Sequence, residues 1–309
     1  MPCSNTGMTT APTPFNWFSI LTLGLIWGGT FMVVSIALEG YGPITVACAR
    51  TTLGAIALLS ARAAMRRPMP NLGDARLWRY IAVIGALSTA FPFMLLSWGQ
   101  QYVPSAFAGI SMSAVPLMIL PLAHFFTDER LSIRKFLGVC FGFVGALVLI
   151  GPGLMQLGQG AEPLAQIACL GAVLCYALSS ILTRRCPPVD PVSLSALSLT
   201  MGAIILVPSM LVFEGVPQWV NTRSGLAILF LGFLPTALAT LLRVQVIRSA
   251  GSVFMTLVNY QVPLWSMVFG AMVLSEDLPL RFYAALALIL SGLAVSQLAG
   301  ITRWFLPRA

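Results

Sequence analysis

Thr256, Asn259, Tyr260 and Pro263 follow one another at i, i+3, i+4 and i+7, so a helix through them carries a hydroxyl, an amide and a phenol on its proline face. At the matching places 147 positions earlier stand Gly109, Met112, Ser113 and Pro116. Trp27, Tyr176 and Trp265 likewise fall in the middle of long apolar runs, where an indole N–H or a phenol O–H needs a partner. Such groups have two uses. They can line a pocket for an amphipathic, aromatic solute, or they can hydrogen-bond one helix to the next. Trp27, Ser113, Tyr176, Thr236, Thr256, Asn259, Tyr260 and Trp265 are the candidate substrate-binding residues.

Charge inside apolar runs is scarce: Arg50, His124 and Arg243. A charge at mid-bilayer costs about 2.5 to 3.5 kcal/mol on insertion scales, so each needs a reason. Arg50, early in its run, is expected to snorkel or to meet a backbone carbonyl. His124, close to a run's end, reads as a satisfied helix-end histidine. Arg243 shares a face with Thr236 and Thr240 and suits a gate, a substrate carboxylate or snorkelling.

What is missing narrows the chemistry further. No Asp or Glu lies near the centre of an apolar run, which removes the buried carboxylate of a proton-coupled cation exporter and favours weakly coupled or facilitative transport. There is no mid-depth Lys/Arg cluster for a phosphate, no HExxH or GxSxG, and one His without a nearby acid. The six cysteines lack metal-ligand spacing. No catalytic residue, metal or cofactor is expected, and the protein is not expected to be an enzyme. A small neutral or zwitterionic solute fits best.

These residues need elements to position them, and composition says which. The chain has 309 residues, 58% hydrophobic and 8% charged, with mean hydropathy +0.91. That is a membrane protein, with the lipid bilayer as its partner. Its net charge of +8 is spread over short gaps between apolar runs and forms no basic face, so no nucleic-acid partner is expected. Ten runs can cross a bilayer: 17–38, 43–61, 79–99, 105–126, 133–151, 163–183, 191–213, 224–247, 251–273 and 280–298. In lipid every backbone group must be satisfied within the segment, so the expectation is an all-α bundle of ten helices.

The chain also repeats. Ser105–Gly145 aligns without a gap on Ser252–Gly292, with nine identities in 41 positions, among them Pro116/Pro263, Glu129/Glu276, Arg134/Arg281 and Gly145/Gly292. Pro92/Pro235 extends the match. Thirteen basic residues fall on the side of both termini and two on the other, which places both termini in the cytoplasm. Five helices per copy is an odd number, so the second copy must enter the membrane inverted. The expected domains are a disordered cytoplasmic N-terminus (1–16), a first five-helix repeat (17–151), a second, inverted one (163–298) and a cytoplasmic tail (299–309). Pro92, Pro116, Pro235 and Pro263, each lacking an N–H, are expected hinges, with Arg243 a possible gate. The GxxxG at Gly138/Gly142 is expected to pack within the chain, and a monomer is expected.

Ten helices as five plus five, the Pro116 to Glu129 and Pro263 to Glu276 spacing followed by Gly145 and Gly292, and Arg50 early in the second span resemble the EamA-type branch of the drug/metabolite transporter superfamily. The resemblance covers residues 17–298 and is greatest to bacterial inner-membrane exporters of amino acids, including aromatic ones. It implies a multi-pass inner-membrane carrier with a central cavity framed by the first, third, fourth, sixth, eighth and ninth helices. Export of such metabolites by alternating access is the expectation. A carrier for other metabolites or drugs, and a channel or scaffold, are the alternatives.

Overall fold

A computed structural model describes residues 13–71, 73–126, 132–151, 160–219 and 222–305, and every regular element within them is helical. The helices are α1 (Pro14–Leu38), α2 (Pro43–Ala64), α3 (Ala75–Gly99), α4 (Ser105–Phe126), α5 (Ile133–Ile150), α6 (Glu162–Arg185), α7 (Pro191–Phe213), α8 (Arg223–Ala250), α9 (Ser252–Met255 and Val258–Val273) and α10 (Leu280–Phe305). Of the disordered N-terminus expected at 1–16, residues 1–12 fall outside the described residues, as does the Glu129 turn, while Pro14, Phe15 and Asn16 belong to α1.

Local chemistry sets the ends. Thr13 accepts from the Asn16 N–H and Pro14 fills the first helical position, so α1 starts at residue 14, three residues before the expected span. Asp74 caps Leu77 in the same way, and α3 starts before residue 79. The last helix runs on to Phe305, so most of the expected tail at 299–309 is helical.

Nine of the described helices are long and apolar enough to cross a membrane, against the ten expected. The exception is α9. A turn at Thr256–Leu257 detaches its first residues and leaves a helix of 16. In α4 the break falls instead at Ser113–Ala114, just ahead of Pro116, whose ring excludes the preceding helical turn. Pro263 stays inside its helix. The two matched prolines therefore act differently on the chain.

The other matched pair acts alike. Ala86–Ala90, just before Pro92, and Gly232–Leu238, around Pro235, are both π-helical stretches within α3 and α8. One residue too many per turn is a common mark of a functional segment.

Three contacts join helices five apart in order: α2 with α7, α4 with α9, and α5 with α10. Further, α1 packs on α8 and α9, while α6 packs on α3 and α4; α2 touches α8, and α3 touches α7. Without a hydrophobic drive between helices in lipid, close approach has to come from small residues. Gly138 faces the Gly292 backbone, so that a Cβ at either would sit about 2.5 Å from the other's carbonyl. The GxxxG of α5 is thus used inside the chain, and Phe136, Phe141 and Phe143 are left on the exposed face.

Candidate functional site

α1 carries Gly24, Gly28 and Gly29 along the face that meets α9, and this lets Trp265 in. A Cβ on Gly28 would lie 2.4 Å from the Trp265 Cβ, and one on Gly24 would run into Gln261. Trp265 stacks on Phe269 with ring centres 5.8 Å apart. On α4, Gly109 makes the corresponding room for the buried Ser266 of α9.

Two of the candidates meet at a π-stretch. The indole N–H of Trp27 donates to the Pro235 carbonyl at 3.1 Å. Beside it, Thr236 repairs the damage done by its neighbour. Pro235 has no N–H for the Leu231 carbonyl four residues back, and the Thr236 hydroxyl donates to that oxygen at 2.7 Å. The Thr236 methyl lies over Gly54 of α2, where any Cβ would come within 2.5 Å of it. Thr89, in the other π-stretch, donates to Gly85 and fills the notch at Gly202 of α7.

Several candidate side chains therefore spend their hydrogen on the protein. Ser113 donates to the Ile110 carbonyl and is buried. Thr256 donates to Gln297 Oε1 on α10 at 3.1 Å, so its hydroxyl is turned to that helix. With Trp27 and Thr236 these make four. They behave as the interhelical and helix-repairing bonds that the sequence left open as one of two uses.

The others stay available. Tyr260 and Tyr176 both pack against the largest apolar cluster, which includes Phe31, Leu96, Phe107 and Met267 from α1, α3, α4 and α9. The Tyr260 hydroxyl is buried and has no hydrogen-bond partner among the described residues. Asn259 is half-buried one position before it. Of the hinge and gate candidates, Pro92, Pro235 and Pro263 are buried, Pro116 is half-buried, and Arg243 is exposed on α8.

Arg50 departs from its expectation. It does not snorkel, and it reaches no carbonyl among the described residues: 7% exposed, it lies with its guanidinium carbon 3.8 Å from the centre of the Phe93 ring, and its Nε has no acceptor among them. The sequence carried the signal, a lone Arg seven residues into a span, but not the fold that would hold it inside.

Two carboxylates sit at helix starts. Glu276 accepts from the Ser105 and Ala106 N–H groups of α4 at 2.6 and 3.1 Å, and Glu214 from Ile44 and Thr45 of α2 at 2.9 and 2.7 Å. Each lies over a glycine, Gly270 and Gly42, whose missing Cβ makes the space. At the far end of α2, Asp190 caps α7 through the Val192 and Ser193 N–H groups and pairs with Arg248 at 3.1 Å and Arg67 at 3.9 Å. Partial burial alone would raise the Asp190 carboxyl, but those bonds outweigh it and hold it below its ordinary range. A cavity of about 560 Å³ opens beside this ion pair, lined by Met65, Val192, Leu241, Val244 and Gln245 among others. It lies at the helix ends and away from the mid-span candidates. Among the described residues no cluster of three or more His, Cys, Asp or Glu could hold a metal.

Relatives of this chain are named as transporters. It is 24% identical to the uncharacterized transporter YoaV of Bacillus subtilis over 89% of this chain and 94% of the relative. It is also 24% identical to the uncharacterized inner membrane transporter YedA of Escherichia coli, over 88% and 87%. A probable terminal-alkyne amino-acid exporter of Streptantibioticus cattleyicolor is 23% identical over 72% of both. A solved crystal structure shares the fold with a TM-score of 0.65 at 21% identity, covering 92% of this chain and 98% of that one. The EamA-like transporter family matches residues 16–151 and again 163–297, so this multi-pass membrane chain belongs to that family.

Proposed function

We propose that the protein exports small neutral or zwitterionic metabolites, amino acids including aromatic ones foremost, across a bacterial inner membrane. It works as a monomer by alternating access between two inverted five-helix halves. The observation that carries this is the matched pair of π-stretches, Ala86–Ala90 beside Pro92 and Gly232–Leu238 around Pro235. A fixed pore or a scaffold has no use for a weakened turn close to the matched proline in each half, whereas a carrier that rocks about a central site does. The helix contacts support the symmetry. Adding or subtracting five turns α1 on α9 into α6 on α4, α1 on α8 into α6 on α3, and α2 on α8 into α7 on α3, as a two-fold axis requires.

Substrate class rests on the interior. Tyr260, Asn259, Tyr176 and Trp265 offer aromatic faces and neutral polar groups, and one relative is named as a probable amino-acid exporter. The test is counterflow of L-phenylalanine in vesicles reconstituted with the full chain. Saturable exchange, accelerated by the same amino acid on the other side, is expected. Flow that never saturates, or that passes unrelated solutes equally, would reject a carrier.

A further inference from the structure

We infer that Arg50, with Phe93 behind it, is an anion subsite that receives the carboxylate of the transported solute. This rests on the transporter reading and adds to it the feature that the substrate must bear. The observation is a buried cation without a counter-ion. Arginine stays protonated in proteins, so the charge cannot be shed by losing a proton. Moving it into the interior is costly unless something pairs with it. Yet no described residue accepts a hydrogen bond from this guanidinium, and its Nε is buried and unsatisfied. Of the carboxylates at the near end of α2, Glu214 is committed to the Ile44 and Thr45 N–H groups and Glu39 pairs with Arg223 at 3.6 Å.

The surroundings fix which anion fits. The guanidinium carbon lies 3.8 Å from the centre of the Phe93 ring, a cation–π contact that restrains the side chain. A planar fork of donors matches a carboxylate in two parallel hydrogen bonds. Tyr176 of α6 packs against the apolar cluster that contains Phe93 and so brings a phenol to the neighbourhood of the subsite. Phe93 directly follows Pro92 and the π-stretch of α3, so a bend there moves the ring that backs the guanidinium. Occupancy of the subsite and the bend of α3 are thereby linked.

Two probes separate this from the transport reading: phenylacetate, which carries the carboxylate, and phenylacetamide, which has the same shape without the charge. Thermal shift of the purified full chain reads their binding with no flux needed, and inhibition of L-phenylalanine counterflow reads it at the working site. In the wild type, phenylacetate is expected to bind about tenfold or more tightly than phenylacetamide, as a charge-assisted pair allows. In Arg50→Gln the two should fall within about threefold of each other. Arg50→Lys, which keeps charge but not the fork, and Phe93→Leu, which frees the side chain, should each lose part of the preference, and they carry the test if Arg50→Gln does not fold. A wild type that does not distinguish the probes, or an Arg50→Gln that still does, overturns the subsite. Stabilisation by chloride alone equal to that by phenylacetate overturns the carboxylate assignment. If phenylacetate binds through Arg50 but no saturable amino-acid flux exists, the subsite stands and the amino-acid reading falls.

Discussion

Trp27 of α1 and Pro235 of α8 are joined by a 3.1 Å hydrogen bond from indole nitrogen to carbonyl oxygen, 208 residues apart in the chain. The bond ties the first helix to the π-stretch of the eighth, where a proline has already disturbed the backbone ladder. Trp27→Phe keeps most of the packing and removes the donor. It should lower stability by about 1 kcal/mol, the usual net worth of such a bond, and change the rate of exchange by freeing the π-stretch. Thermal unfolding and counterflow on the same preparation check both. Unaltered exchange would show that the bond does not restrain the moving part.

Tyr260 gives the opposite balance. Its hydroxyl is buried and unpartnered among the described residues, so Tyr260→Phe should leave stability unchanged or slightly raised. Transport of L-phenylalanine should fall if a bound solute is the partner this hydroxyl lacks, and Asn259→Ala should impair it too. Normal flux in both variants, with normal expression, would take them out of the site.

The Glu276 carboxylate and the notch at Gly270 act as one device. Glu276→Ala removes two bonds at the start of α4 and should cost about 1.5 to 3 kcal/mol, with Glu276→Gln costing less. Gly270→Ala would put a Cβ 2.4 Å from Glu276 Oε2 and should cost a similar amount. The double variant should cost clearly less than the sum, which a thermal-unfolding cycle can read.

Gly54 and Thr236 are matched in shape. Gly54→Ala should destabilise by about 1 to 3 kcal/mol, because a β-branched side chain held by its own hydrogen bond cannot swing away. Adding Thr236→Ser deletes the offending methyl and keeps the hydroxyl, and it should recover most of the loss. Failure to recover would mean that the clash lies with the α8 backbone.

Asp190 sets an acid limit. Its folded carboxyl titrates below the ordinary value of 3.8, so its contribution is fully present above that value and is lost as pH falls through the lower, folded one. Asp190→Asn should therefore be less stable than the wild type by a constant margin at neutral pH. That margin should close as pH falls below about 4. A gap that persists in acid would assign the effect to the cap alone.

Much of this was legible in the chain. Apolar run length and the need to satisfy every backbone group in lipid determined that the protein is helical and crosses the membrane many times; irregular turns lie near Pro92, Pro116 and Pro235, but Pro263 stays inside its helix and no proline marks the turn at Thr256–Leu257. Depth along the runs picked out Trp27, Tyr176, Tyr260 and Trp265 as polar groups needing partners. Which partner each would find was not written locally, because partners come from helices distant in sequence. Only the packed bundle gives Trp27 to the π-stretch of α8, turns Thr256 toward Gln297, and leaves the Tyr260 hydroxyl without a partner among the described residues, whereas Thr236 bonds within its own helix. The same holds for Arg50. From spacing it could as well have reached the bilayer surface. Its burial beneath Phe93 was decided by how α2 and α3 pack, since a long side chain goes where its neighbours leave room.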